Sequence, residues 1–162
     1  GSGAVGGVSF AGTDILRYDL TTGAWAIFFD GSDVGVSVDV DAFFLDSDGS
    51  ILLSLGTDTT LTGFGAVDDA DILRFTPTSL GATTAGTFTL LLDGSDVGLD
   101  TLGEDIDAVG RSAGGNVNSG ARSAGRRSGE TDVRSRQVDR GSPSSSGAVS
   151  EHQHMGHRCW RR

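Results

Sequence analysis

Apolar residues in this chain come in short bursts, each closed within a few positions by Gly or Asp, and none continues with helical spacing. Trp25, Ile27 and Phe29 alternate along Ala24–Phe29, the period of a strand with one buried face. Ala42-Phe43-Phe44-Leu45 and Ile51-Leu52-Leu53 have no polar face at all, which predicts strands covered on both sides of their sheet. Between them lies Asp46-Ser47-Asp48-Gly49-Ser50, whose Asp-Gly tolerates positive φ and predicts a hairpin turn. With Asp14–Tyr18, centred on Ile15 and Leu16, the pattern gives four strands: Asp14–Tyr18, Ala24–Phe29, Asp41–Leu45 and Ile51–Leu55. The expected class is all-β.

The same pattern returns downstream. Asp14-Ile15-Leu16-Arg17-Tyr18 recurs as Asp71-Ile72-Leu73-Arg74-Phe75, an offset of 57. Asp30-Gly31-Ser32-Asp33-Val34-Gly35 recurs as Asp93-Gly94-Ser95-Asp96-Val97-Gly98, an offset of 63, and Asp39-Val40-Asp41-Ala42 as Asp105-Ile106-Asp107-Ala108, an offset of 66. The offset grows only between strands: Thr21-Thr22-Gly23 is replaced by a Thr/Ser/Gly stretch from Thr76 to Gly86, and Gly35–Asp39 widens into Gly98–Asp105. Length change confined to connections marks a true repeat, because surface loops tolerate insertion. Each copy matches the other in its second strand, with Phe88, Leu90 and Leu92 at the positions of Trp25, Ile27 and Phe29.

Four short strands per repeat, needing cover on both faces, suit a blade of a β-propeller, though known propeller repeats run roughly 40–50 residues. A β-sandwich is the alternative. The motifs Asp-Ile-Leu-Arg-Tyr/Phe, Phe-Asp-Gly-Ser-Asp-Val-Gly and Asp-Val-Asp-Ala, followed by Leu-Asp-Ser-Asp-Gly-Ser-Ile-Leu-Leu-Ser, resemble the propeller-like repeat modules of large secreted bacterial proteins. The resemblance covers roughly residues 5–109. It implies a secreted or cell-surface setting, further blades of the same protein as partners, and an extracellular ligand. It carries no catalytic motif.

The expected organisation is an inter-blade connection over 1–13, a first blade over 14–69, an incomplete second blade over 70–109, and a tail over 110–162. That amounts to one and a half four-stranded blades, below the roughly three repeats an array needs for stability, so a fragment of a longer array is expected. Gly6–Thr13 aligns with the inter-repeat connection Gly63–Ala70, as if the chain opened partway through an array. After Ala108-Val109 the second copy loses its final hairpin, and the composition turns to Arg, Gly, Ser and Ala. Such a segment buries too little to offset its ordering entropy and is expected to be disordered. A reading-frame slip in a GC-rich gene is one origin for it and an ordinary flexible tail the other.

Charge divides at the same place. Residues 1–109 carry a net −16 and residues 110–162 a net +6, giving −10 overall. The acidic part disfavours nucleic acid and anionic membrane surfaces, and the dispersed Arg residues of the tail lack the clustering of a nucleic-acid footprint. No apolar run approaches the roughly 18 residues of a membrane span. Cys159 is the single cysteine, so an intrachain disulfide is excluded.

Candidate chemistry rests on carboxylates. Asp30, Asp33, Asp39 and Asp41, repeated as Asp93, Asp96, Asp105 and Asp107, offer the hard oxygen ligands that calcium prefers. No EF-hand spacing accompanies them, and Asp and Ser in such turns also accept local backbone hydrogen bonds. Arg17 and Arg74, the two basic residues of the acidic part, occupy one repeat position and suit pairing with an Asp of the array. Gly1-Ser2-Gly3-Ala4-Val5-Gly6 matches a dinucleotide fingerprint by letter but follows no strand and opens no helix. His152, His154, His157 and Cys159 match no standard zinc spacing, and with every His beyond residue 151 the repeats contain no Ser-His-Asp machinery. A non-catalytic scaffold for extracellular binding or display, stabilised by calcium, is the expected function. A propeller hydrolase using carboxylate or calcium chemistry is the alternative; a catalytic pair is normally unique, whereas these acids recur.

Overall fold

The computed structural model describes residues 1–99, 103–123 and 134–138. They are all-β: strands β1 (Gly3–Val5), β2 (Val8–Phe10), β3 (Ile15–Tyr18), β4 (Trp25–Phe29), β5 (Val40–Leu45), β6 (Ile51–Leu55), β7 (Thr59–Leu61), β8 (Gly65–Val67), β9 (Ile72–Ser79), β10 (Ala85–Leu92), β11 (Glu104–Arg111), β12 (Val117–Ser123) and β13 (Arg134–Val138). Two single-turn 3-10 segments, Ser32–Val34 and Ser95–Val97, follow β4 and β10. All four strands expected in the first copy are present, shifted by at most a residue or two at their starts.

The pairing runs across the copies. A four-stranded antiparallel sheet has the order β10-β9-β6-β5, joining the last two strands of the first copy to the first two of the second. Beside it lie a two-stranded sheet β3-β4 and a three-stranded sheet β11-β12-β13. None of these sheets closes on itself. The sheets are therefore out of phase with the sequence repeat: residues 14–69 hold six strands, β3 to β8, that belong to three different sheets.

β6 explains why both faces need cover: all five of its residues are buried. Alternation sends Ile51, Leu53 and Leu55 to one side, where they pack with Ile15 and Phe29 of the β3-β4 layer and with Leu73 and Phe75. Leu52 points the other way, into a second core with Ile72, Leu99 and Ile106, flanked by Val109, Val117 and Ala121 of the β11-β12 layer. Equivalent residues fill equivalent places in successive cores: Ile15 then Ile72, Phe29 then Leu92, Val36 then Leu99. The rings of Tyr18 and Trp25 meet at 4.9 Å and 46°, those of Phe75 and Phe88 at 4.9 Å and 47°. The repeat is thus a repeat of packing as well as of sequence.

Four expectations need correction. Residues 1–13 are more than a connection: Gly6 and Gly7, both at positive φ, turn β1 into β2, and β7-β8 is the matching hairpin of the second copy. The Thr76–Gly86 stretch is more than a connection: β9 runs on through the β-branched Thr76 and Thr78 to Ser79 and β10 begins at Ala85, leaving a short loop at Leu80–Thr84. The hairpin thought missing after Val109 exists. Ser112 N–H donates to Asn116 O (3.0 Å) and Gly115 N–H to Ser112 O (2.9 Å), as Asp46 N–H does to Ser50 O (2.9 Å) and Gly49 N–H to Asp46 O (3.0 Å). Gly115 (φ 81°) stands where Gly49 (φ 86°) does, at the 66-residue offset.

Lastly, the tail expected to be disordered from residue 110 begins with strands. Its low hydrophobicity is offset by neighbours: β12 is paired on both sides, and Val117 and Ala121 pack against the second core. β13 stands to β12 as β9 does to β6, with Val117 opposite Val138 where Ile51 is opposite Phe75. The rest of that expectation, including His152, His154, His157 and Cys159, lies outside the described residues.

Candidate functional site: the recurring carboxylates

The first Asp of each copy is a bridge. Asp71 accepts from the Asp68 N–H (3.0 Å) through one oxygen and from the Gly94 N–H (3.0 Å) through the other. Asp14 accepts from the Ala11 N–H (2.8 Å) and the Gly31 N–H (3.3 Å) in the same manner. Each carboxylate ties the turn that enters the first strand to the loop that leaves the second. The loop must come close for this: a Cβ on Gly94 would lie 2.5 Å from the Ala70 carbonyl oxygen, and one on Gly31 would overlap the Thr13 carbonyl. Only glycine fits there.

Asp30 and Asp93, expected as cation ligands, open the 3-10 turns. Asp30 accepts from Ser32 N–H (3.1 Å) and Ser32 Oγ (2.7 Å), and Asp93 from Ser95 N–H (3.1 Å) and Ser95 Oγ (2.6 Å). Gly35 (φ 83°) and Gly98 (φ 79°) close those turns in left-handed conformation. Asp33 reaches the other copy, accepting from the Thr84 N–H (2.8 Å) of the β9–β10 loop, while Thr84 Oγ1 receives the Asp30 N–H (2.9 Å). Asp96 lies in the second 3-10 turn. Asp39 pairs with the amino group of Gly1.

The remaining three expected ligands converge. Carboxylate oxygens of Asp41, Asp105 and Asp107 lie within 4.8 Å of one another, bringing the Asp-x-Asp motifs of both copies together between β5 and β11. A second group, Asp58, Asp68 and Asp69, is equally tight. Among the described residues, Asp30, Asp33, Asp39, Asp93 and Asp96 belong to neither group. Asp69 feels its crowd: partial burial, then the Asp68 side chain and the charges of Asp58 and Asp105, push its carboxyl up to about 6. Burial likewise raises Asp71, against the lowering by its two backbone donors. Asp58, Asp68, Asp71 and Asp93 also line an open groove of about 520 Å³.

Sequence reasoning missed Asp14, Asp71, Asp58, Asp68 and Asp69. The recurrence of Asp14 as Asp71 was the available signal for one pair. Asp58 and Asp68 are brought together only by the β7-β8 hairpin, which no motif announces.

Of the two arginines of the acidic part, Arg74 pairs with an Asp of the other copy. Arg74 bonds Asp48 in the β5–β6 turn, and Arg111 reaches Asp46 of the same turn at 3.0 Å. Arg17, at the Arg74 position, stands exposed. No described helix is long and apolar enough to cross a membrane. Comparison with known protein families, curated proteins and solved structures finds no match.

Proposed function

We propose that this chain is a non-catalytic repeat module, an acidic β-scaffold that holds loops rigidly for extracellular binding. One observation carries the reading: the recurring acids accept the same backbone N–H bonds in both copies, Asp14 like Asp71 and Asp30 like Asp93. Groups so engaged fix turns and are poorly placed for turnover. The extracellular setting and the propeller-blade arrangement rest on the resemblance of the repeat motifs and belong to this proposal. Calcium would enter at Asp41, Asp105 and Asp107, where a cation between β5 and β11 would relieve carboxylate repulsion.

In an array, stability grows with the number of stacked units. Lengthening the chain by one further copy of residues 36–98 should raise its urea midpoint in a single transition. Two transitions, with the first at the parental midpoint, would refute the scaffold reading.

A hydrolase is favoured by one observation alone, the carboxyl of Asp69 raised to about 6 beside two other acids. That is how a general acid is kept protonated near neutrality. Aryl glycosides and phosphate esters, assayed with the parent and with Asp69→Asn, decide it: turnover abolished by the substitution supports the enzyme.

A further inference from the structure

The internal repeat makes each structural position a guide to its counterpart. β9 is paired on both edges, by β10 and by β6. Its counterpart β3 is paired by β4 alone among the described strands. Arg74 on β9 bonds Asp48 at the tip of the β5–β6 hairpin, whereas Arg17 on β3 is exposed. Phe75 is fully buried, and its counterpart Tyr18 is 45% exposed although it keeps the same stacked ring partner.

A second, independent surface points to the same place. β11 lies on the face of β5 that carries Phe44, and Val109 of β11 packs into that interface. By the 66-residue offset Val109 corresponds to Phe43, on the opposite face of β5. Phe43 is 47% exposed and Leu45 49%, on the side where Leu53 and Ile51, their cross-strand partners, are wholly buried. The β3-β4 layer is two strands wide and the sheet under it four; at β5, Val40 packs against the shared core while Phe43 and Leu45 further along are left uncovered. The result is a step, with the open edge of β3 as its wall and Phe43 and Leu45 as its floor.

We propose that this step is a docking surface for a β5–β6-type hairpin from another repeat, with the chemistry of Phe-Leu-Asp-x-Asp-Gly-Ser-Ile-Leu-Leu. Its second strand adds antiparallel to β3, its first strand covers Phe43 and Leu45, and its turn carboxylate meets Arg17. The β6–β9 register, Leu52 opposite Arg74 and Leu53 opposite Leu73, sets the incoming Leu52-type residue opposite Arg17 and the Leu53-type residue opposite Leu16. Backbone hydrogen bonds would supply the affinity and the apolar floor the selectivity. A second copy of this chain is a poor occupant, because its own β6 is already bonded on both edges.

The inference rests on the repeat-scaffold reading and deepens it by naming the edge, register and partner. The test uses the full chain with Cys159→Ser and Arg17→Cys, mixed in a thiol–disulfide buffer with synthetic peptides of residues 38–57 bearing Leu52→Cys or Leu53→Cys. The Leu52→Cys peptide should be trapped at least tenfold faster. Because an isolated hairpin is marginally stable, the same 38–57 segment is also fused directly before Gly1, which reproduces the spacing from β6 to β9. Amide exchange over Ile15–Tyr18 should then slow at least tenfold. Equal trapping of both peptides, disulfide-linked dimers of the chain alone, or unchanged exchange in the fusion overturns the proposal. A lengthened chain that gains stability without register-selective trapping would sink this inference and leave the scaffold reading standing.

Discussion

Replacing Asp71 by Ala tests whether the bridging carboxylate holds the repeat together. The substitution removes two bonds, from the Asp68 and Gly94 amides at 3.0 Å each, and strands the Gly94 donor in a buried position. Hydrogen bonds to a charged acceptor contribute about 1.5–3 kcal/mol each. Part of that gain offsets the cost of burying the carboxylate, which is why its carboxyl is raised and not lowered. A net loss of about 2–4 kcal/mol is expected. Asp14→Ala breaks three bonds, from the Ala11 N–H (2.8 Å), Thr13 Oγ1 (3.0 Å) and the Gly31 N–H (3.3 Å), but in a part-buried site where water can replace the lost acceptor, so about 1–2 kcal/mol is expected. Asp71→Asn keeps one acceptor and removes the charge, and should fall between parent and Asp71→Ala. Urea denaturation followed by far-UV circular dichroism reads the order; at a slope of about 1.5 kcal/mol per molar, Asp71→Ala should lower the midpoint by roughly 2 M. A shift below that of Asp14→Ala would refute the clamp.

Gly94→Ala should destabilise by more than about 2 kcal/mol, since the new Cβ meets backbone at Ala70 and a flexible side chain is not there to yield. Gly31→Ala should behave alike, whereas Gly49→Ala, with open space but positive φ, should lose only about 1 kcal/mol in the same urea titration. For Asp69 the folded carboxyl holds its proton more tightly than the unfolded one, about 6 against 3.8. Its stabilising contribution is therefore full below about pH 3.8 and lost as pH rises through 6. Asp69→Asn should raise the melting temperature at pH 7 by an amount worth about 1 kcal/mol after solvent screening. That gain should vanish by pH 4; the opposite trend would rule out the crowding.

The local level of this fold was legible in the residues. Ile51-Leu52-Leu53 announces a strand buried on both faces because it has no polar side, and Asp46–Ser50 announces its turn because Gly49 takes a positive φ. What could not be read was which strands pair. β6 could bond onward to any later strand, and its choice of β9 is fixed by Leu53 meeting Leu73 in a core assembled from both copies. Composition misled at β12, where Asn118, Ser119 and Gly120 lack hydrophobicity of their own and are held by strands on either side. The candidate ligands divided for a related reason. Asp30 and Asp93 have a Ser two residues on and turn inward to it, a local contest that sequence can suggest but not decide. Asp41, Asp105 and Asp107 meet only because β5 and β11 lie in adjacent layers.

Because each copy gives its first hairpin to one sheet and its second to the next, the units overlap like bricks in a running bond. Melting any single copy tears two layers at once, so neighbours must yield together. Such coupling lets a chain of short, weakly apolar strands unfold as one body. It also means that a newly duplicated unit enters the wall already keyed to those on either side.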